Sequence, residues 1–190
     1  MLYKVTKRLL DLIFFMIALP FLIILYSIIF ILIKLDSPGP VILKQKRIGK
    51  DMQIFTMYKF RTMYIDADIN GLPPTDEYDK RVTTVGKFLR KSSLDETPQF
   101  INLFLGQMSL VGPRPEIQAL LPYYQPAELK RFDVIPGLTG LWQISGRKNK
   151  QSISQKASID IEYINQASFW FDLKILIKTP LVVLKARGAY

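Results

Sequence analysis

The chain contains no histidine and no cysteine. Without an imidazole there is no Ser-His or Cys-His nucleophile pair and no histidine acid or base. With neither thiolate nor imidazole there is no structural zinc site, no iron–sulfur or His-ligated haem centre and no disulfide framework. Acidic side chains are also scarce: 16 Asp and Glu stand against 26 Lys and Arg in 190 residues, a formal net charge of +10. Chemistry here must run on carboxylates, Lys and Arg, hydroxyls and a hard cation such as magnesium. The charge asks for anionic partners, whether phosphates, acidic lipid or nucleic acid.

One stretch lacks charge altogether. Leu12–Ile33 is 22 residues long, bounded by Asp11 and Lys34. As one helix it would measure about 33 Å, enough to cross a hydrocarbon core. This divides the chain into a membrane-inserted helix over 1–35 and a domain over 36–190 long enough to bury its own core. Pro20 interrupts the run and predicts a kink, because it removes a helical hydrogen bond. Both flanks are basic: Lys4, Lys7 and Arg8 before, Lys34, Lys44, Lys46, Arg47 and Lys50 after. Positive charge favours the cytoplasmic side. A re-entrant helix breaking at Pro20, with both ends on the cytoplasmic face, satisfies both flanks; a kinked straight span is the alternative.

Beyond the membrane segment the expected fold class is α+β, mainly helical. Asp36-Ser37-Pro38-Gly39-Pro40 reads as a rigid turn. Val41–Ile48 and Gln53–Met63, separated by Gly49-Lys50-Asp51-Met52, read as a small β-hairpin. The chain from Ile65 to Thr84 is polar and reads as a loop. Val85–Lys91 and Glu96–Leu105 read as short helices, Gly112–Gly146 as a Pro- and Gly-rich, loop-built region, and Ser152–Asn165 and Trp170–Lys185 as further helices. The last carries Lys174, Lys178 and Lys185 along one stripe, with Trp170 and Phe171 at one end. That suits an amphipathic helix in the membrane interface; a core-packing helix with a solvated lysine face suits it equally.

The chemical candidates are few. In Ser93-Leu94-Asp95-Glu96-Thr97-Pro98, proline is tolerated only in a first helical turn, so Asp95 is expected as the N-cap. There its carboxylate would be held ionised by free N–H groups, as a carboxylate nucleophile requires. Glu96 beside it offers oxygen to magnesium. An ordinary Asp cap is the plain reading of the same residues. Gly112-Pro113-Arg114-Pro115 presents Arg114 between two prolines, preorganised for a phosphate. Lys59 and Arg61 share one strand face, and Arg90 and Arg147 are similar cationic candidates. Asp66-Ala67-Asp68 has an Asp-x-Asp form but lies in a polar loop and reads as solvated.

Taken in order, Lys7-Arg8…Asp11, the apolar run, Asp36-Ser37-Pro38-Gly39-Pro40, Tyr58-Lys59-Phe60-Arg61-Thr62-Met63, Ser93-Leu94-Asp95-Glu96, Val111-Gly112-Pro113-Arg114-Pro115, Pro136-Gly137-Leu138-Thr139-Gly140 and Trp142-Gln143-Ile144-Ser145-Gly146-Arg147 resemble the bacterial sugar transferases. These are small monotopic polyprenyl-phosphate phosphoglycosyl transferases. The resemblance runs over essentially the whole chain. It implies transfer of a sugar-1-phosphate from a UDP-sugar to undecaprenyl phosphate with release of UMP. That is the first membrane step of surface polysaccharide synthesis, at the cytoplasmic face of the bacterial inner membrane. It further implies that Asp95 is the nucleophile, forming an aspartyl-phosphosugar intermediate, that Glu96 with Asp95 holds magnesium, and that Lys59, Arg90, Arg114 and Arg147 meet phosphates; Arg61, on the strand face of Lys59, is a further phosphate-binding candidate. Implied partners are the UDP-sugar, undecaprenyl phosphate and membrane lipids, with a homodimer left open and nucleic acid not expected. The family places a Ser-Pro pair at its helix break, further along the run; here the break falls at Leu19-Pro20, about a turn earlier. The alternative from a different class is a non-enzymatic, membrane-anchored basic domain that binds acidic lipid or nucleic acid. It needs neither Asp95-Glu96 nor a constrained Arg114.

Overall fold

The computed structural model of the protein describes residues 2–65, 67, 74, 78–145 and 152–184. Arg147, Asp66, Asp68 and Lys185 lie outside the described residues. The architecture is mostly helical, with two small two-stranded sheets.

Helix α1 runs from Leu2 to Asp36. Pro20 lies inside it and leaves one carbonyl a turn earlier without its helical donor, yet helical conformation continues on both sides. Asp11, Leu22, Ile29 and Ile33 form a buried stripe at helical spacing. The opposite face exposes Ile17, Phe21, Ile24, Ile31 and Leu35. Both ends of α1 are fastened to the same body. Near the start, Tyr3 donates to Asp172 at 2.8 Å, Lys7 pairs with Asp172 at 2.5 Å and Arg8 donates to the carbonyls of Leu103 and Phe104. The Asp11 carboxylate accepts from Ser109 Oγ and Leu110 N–H. Towards the end, Tyr26 donates to the Thr97 carbonyl at 2.6 Å, and Ile29 and Ile33 join Val41, Phe60 and Leu89 in one core.

The hairpin forms as expected, trimmed to β1 (Ile42–Ile48) and β2 (Ile54–Phe60). Its turn is made by Asp51 and Met52, at φ 51° and 57°, rather than by Gly49. The register pairs Leu43 with Lys59, Gln45 with Met57 and Arg47 with Phe55, so these six side chains share one face. Helix α2 (Thr84–Lys91) begins at a Thr83 cap whose hydroxyl accepts from Gly86 N–H.

The expected helix over Glu96–Leu105 is instead two elements, a 3₁₀ turn (Leu94–Gln99) and helix α3 (Phe100–Phe104). Asp95 is therefore not a helix cap. A cap needs extended backbone, but the chain leaves α2, reverses through Ser93 at φ 57° and passes straight into the 3₁₀ turn. No extended residue separates the two.

The region read as loop-built contains a parallel pair, β3 (Ser109–Val111) and β4 (Gly137–Thr139). The strands meet at two glycines: a Cβ on Gly137 would lie 2.1 Å from the Gly112 nitrogen, so only hydrogen fits. Helices α4 (Leu141–Ile144), α5 (Ile153–Gln166) and α6 (Phe169–Leu184) complete the fold. Ser152 caps α5 in a reciprocal box with Gln155. Ile175 of α6 packs with Leu103, Val111 and Tyr163, while Trp170, Ile177 and Leu181 are exposed.

Candidate active site

Two separate segments converge on Glu96. Lys59 projects from β2 and reaches one oxygen of Glu96 at 2.7 Å. Arg114, just after β3, clasps both carboxylate oxygens, one through Nη1 at 2.9 Å and the other through Nη2. Asn102 of α3 fixes the distance between turn and strand: its amide accepts from Tyr58 N–H and donates to the Thr56 carbonyl. Burial pushes the Glu96 carboxyl upward, but the Arg114 and Lys59 charges outweigh it and hold the carboxyl well below its usual range. Glu96 in turn holds Arg114 more firmly protonated. Lys59 is pushed downward by burial, with Glu96 opposing.

Asp95 is half-buried like its neighbour, but no described residue hydrogen-bonds or pairs with its carboxylate. Burial and then the adjacent Glu96 charge raise it to about 6, against the pull of Lys59, Arg90 and Arg114. The sequence expectation of a carboxylate lowered by a helix end is corrected here: no cap geometry supplies the N–H groups. Asp95 is ionised at neutral pH, but as an accessible and poorly stabilised anion, which is a reactive one.

Arg114 owes its position to a buried network that the linear pattern did not signal. Arg131, 3% exposed, donates to the Arg114 carbonyl at 3.0 Å. Its charge is met by Asp160 at 2.7 Å and Glu116 at 3.4 Å, with the Tyr124 hydroxyl at 2.6 Å. Ile48 N–H donates to the Glu116 carbonyl at 2.8 Å, which ties the Pro-Arg-Pro segment to the end of β1.

Of the predicted cations, Lys59, Arg114 and Arg90 come together around the two carboxylates; Arg90 acts on Asp95 through its charge. Arg61 does not join them. It is buried, and its guanidinium donates to the carbonyls of Ser37 (2.8 Å) and Pro38, bracing the turn after α1. Arg47, read from sequence only as a membrane-flanking charge, stands next to the cluster. Burial and the Arg114 charge lower it to about 10. Its position opposite Phe55 in the hairpin was the one sequence signal that could have placed it on the Lys59 face.

The donor set fits a magnesium ion. Asp95 and Glu96 are hard oxygen donors on adjacent residues, and magnesium takes one or two carboxylates plus phosphate and water. Asp95 is uncommitted, whereas Glu96 already accepts three hydrogen bonds. Among the described residues no larger cluster of metal-ligating side chains exists. Beside Glu96 a cavity of about 140 Å³ opens between the 3₁₀ turn and α6, lined by Gln99, Phe100, Leu138, Gln143 and Val183. The Gln99 Nε2 and both amide atoms of Gln143 are buried without a protein partner.

A family model described as bacterial sugar transferase matches residues 2–186. The chain is 42% identical over 186 residues to the uncharacterized sugar transferase EpsL of Bacillus subtilis, covering 97% of this chain and 90% of that protein. It is 43% identical over 162 residues to the galactosyl transferase CpsE of Streptococcus agalactiae, covering 80% of this chain and 36% of that one. It is 40% identical over 165 residues to the UDP-glucose:undecaprenyl-phosphate glucose-1-phosphate transferase of Escherichia coli, covering 83% and 36%. The chain thus spans little more than a third of the last two proteins.

Replacing Arg131 with Met strands Asp160 in the interior and frees the Arg114 carbonyl. The expected loss is about 3–5 kcal/mol, the usual cost of removing one partner of a buried ion pair, read as a lower urea midpoint for the detergent-solubilised protein.

Proposed function

The chain belongs to the bacterial sugar transferase family, and we propose that it moves a sugar-1-phosphate from a UDP-sugar to undecaprenyl phosphate through a covalent intermediate on Asp95. The observation that carries this reading is the contrast between two adjacent carboxylates. Glu96 is engaged by Lys59 and Arg114, while Asp95 is ionisable near neutrality and has no such partner among the described residues. One is built to organise cations, the other to attack.

In the proposed reaction an Asp95 oxygen attacks the β-phosphorus of the donor. The bond from that phosphorus to the bridging oxygen breaks, and the electron pair leaves with UMP. An oxygen of the acceptor phosphate then attacks the same phosphorus, expelling the Asp95 carboxylate and forming a polyprenyl diphosphate sugar. Both leaving groups depart as anions, so neither step requires a proton. This accounts for a site without histidine. What it does require is charge screening, since nucleophile and phosphate are both negative. Lys59, Arg90 and Arg114 supply that, and magnesium held by Asp95 and Glu96 would neutralise further diphosphate charge.

The reading includes a membrane location on the cytoplasmic face. Helix α1 is long and apolar enough to cross a bilayer, but its two ends grip the same domain through Asp11 and through Tyr26, Ile29 and Ile33. A straight span with the domain on one side would carry one end away from it. The anchoring supports a helix that enters and leaves on the domain's side, which both basic flanks favour. Trp170, Ile177 and Leu181 of α6 suit contact with the same interface.

Asp95→Asn is expected to abolish UMP release from UDP-sugar by membranes, and chelating magnesium to suppress it in the wild type. The substitution leaves the fold at least as stable at pH 7. Folding favours protonated Asp95, so that contribution is full below the unfolded pKa and is lost as pH rises through about 6. Normal turnover by Asp95→Asn would end the nucleophile assignment.

The pH profile follows the same group. The rate should fall about tenfold per pH unit below about 6 and stay level up to pH 8, because attack needs the ionised carboxylate. A profile flat from pH 5 to pH 8 would contradict it.

Topology is testable because the chain has no cysteine of its own. Lys4→Cys should react with an impermeant maleimide only after cells are opened; labelling of intact cells would exclude the re-entrant arrangement.

A further inference from the structure

The cations of the site are not all accounted for. Glu96 balances Lys59 and Arg114, and Asp160 with Glu116 balances Arg131. Arg47 has no such counterpart. The hairpin register sets it opposite Phe55, on the face that carries Lys59. The bond from Ile48 N–H to the Glu116 carbonyl sets it beside the segment that follows Arg114. Its guanidinium makes a single hydrogen bond, from Nη2 to the Gln45 side chain at 2.6 Å. Its Nε is buried without a partner, and it forms no ion pair with the described residues.

A half-buried arginine without an ion-pair partner, near a second arginine, is costly on its own. An incoming anion offsets that cost, because a guanidinium already partly stripped of water binds phosphate with less further desolvation. Position narrows the anion. The Arg47–Phe55 pair lies four residues along the hairpin from the Leu43–Lys59 pair, about 13 Å at the usual strand rise. Arg47 is therefore set off along the sheet from the Lys59–Glu96 contact that adjoins the nucleophile.

Resting on the transferase reading above, we propose that Arg47, next to Arg114, binds the phosphate that is not attacked: the α-phosphate that leaves as the nucleoside monophosphate. As the bond between the β-phosphorus and the bridging oxygen breaks, the electron pair moves onto that leaving phosphate, and Arg47 neutralises the charge that accumulates there. Arg47 is thus a substrate-binding residue for the leaving group.

The test compares wild type, Arg47→Gln and Arg47→Lys in nanodiscs, by calorimetric titration with UMP and with a short-chain prenyl phosphate, and by thermal unfolding with and without UMP. Arg47→Gln should unfold at or above the wild-type temperature without ligand, since a costly charge is gone. It should bind UMP at least tenfold more weakly and lose most of the UMP-induced rise in unfolding temperature. Arg47→Lys should fall between, keeping charge but not the planar fork. A ligand-free Arg47→Gln protein less stable than wild type would make Arg47 structural and overturn the proposal. So would unchanged UMP binding, or a loss confined to the prenyl phosphate. A wild type that binds no UMP at all would overturn the transferase reading itself.

Discussion

The ion pairs of Glu96 are the constraint on which the site depends. One carboxylate joins a strand, through Lys59, to a turn and to the loop that carries Arg114. These segments lie far apart in the chain. The clasp also sets the chemistry next door. Because Glu96 is held ionised, its charge adds to burial in raising Asp95, so the two carboxyls are shifted in opposite directions. Two carboxylates in adjacent positions acquire different proton affinities from their surroundings alone.

The clasp is only as firm as its supports. Asn102 holds the turn against β2 through two backbone contacts, and Arg131 holds Arg114 through its carbonyl. The Arg131–Asp160 pair is nearly dry, an arrangement that contributes little net stability but fixes geometry. Gly112 and Gly137 let two backbones approach closely enough to form the β3–β4 pair, which delivers Pro113-Arg114-Pro115 to the site. A short parallel pair, a buried arginine and a 3₁₀ turn together take the place of a conventional large sheet.

Helix α1 has two unlike faces. Its buried stripe completes the domain core, and its other face remains apolar and exposed. A helix apolar on all sides needs every face covered, by protein or by a bilayer. Both of its ends bind the domain, so the helix and the site are one structure: Tyr26 of α1 hydrogen-bonds Thr97, two residues from Asp95.

Much of this was legible in the linear chain, where local physics governs. Absent histidine and cysteine, the apolar run, the hairpin around Gly49–Met52, the helix beginning at Ser152 and the adjacency of Asp95 and Glu96 all rest on residues close in sequence. The ordered motifs identified the family for the same reason. Tertiary structure alone decided what depends on distant segments. It diverted Arg61 to two backbone carbonyls, moved Asp95 from a cap into a 3₁₀ turn, and raised its pKa where sequence reasoning lowered it. It also brought Arg47, Arg131 and Asn102 into play and paired strands 25 residues apart. A cap or a turn is a contract between neighbours, but the sign of a pKa shift and the partner of a cation depend on the dielectric and charge around them. That surrounding is assembled only when the chain has folded.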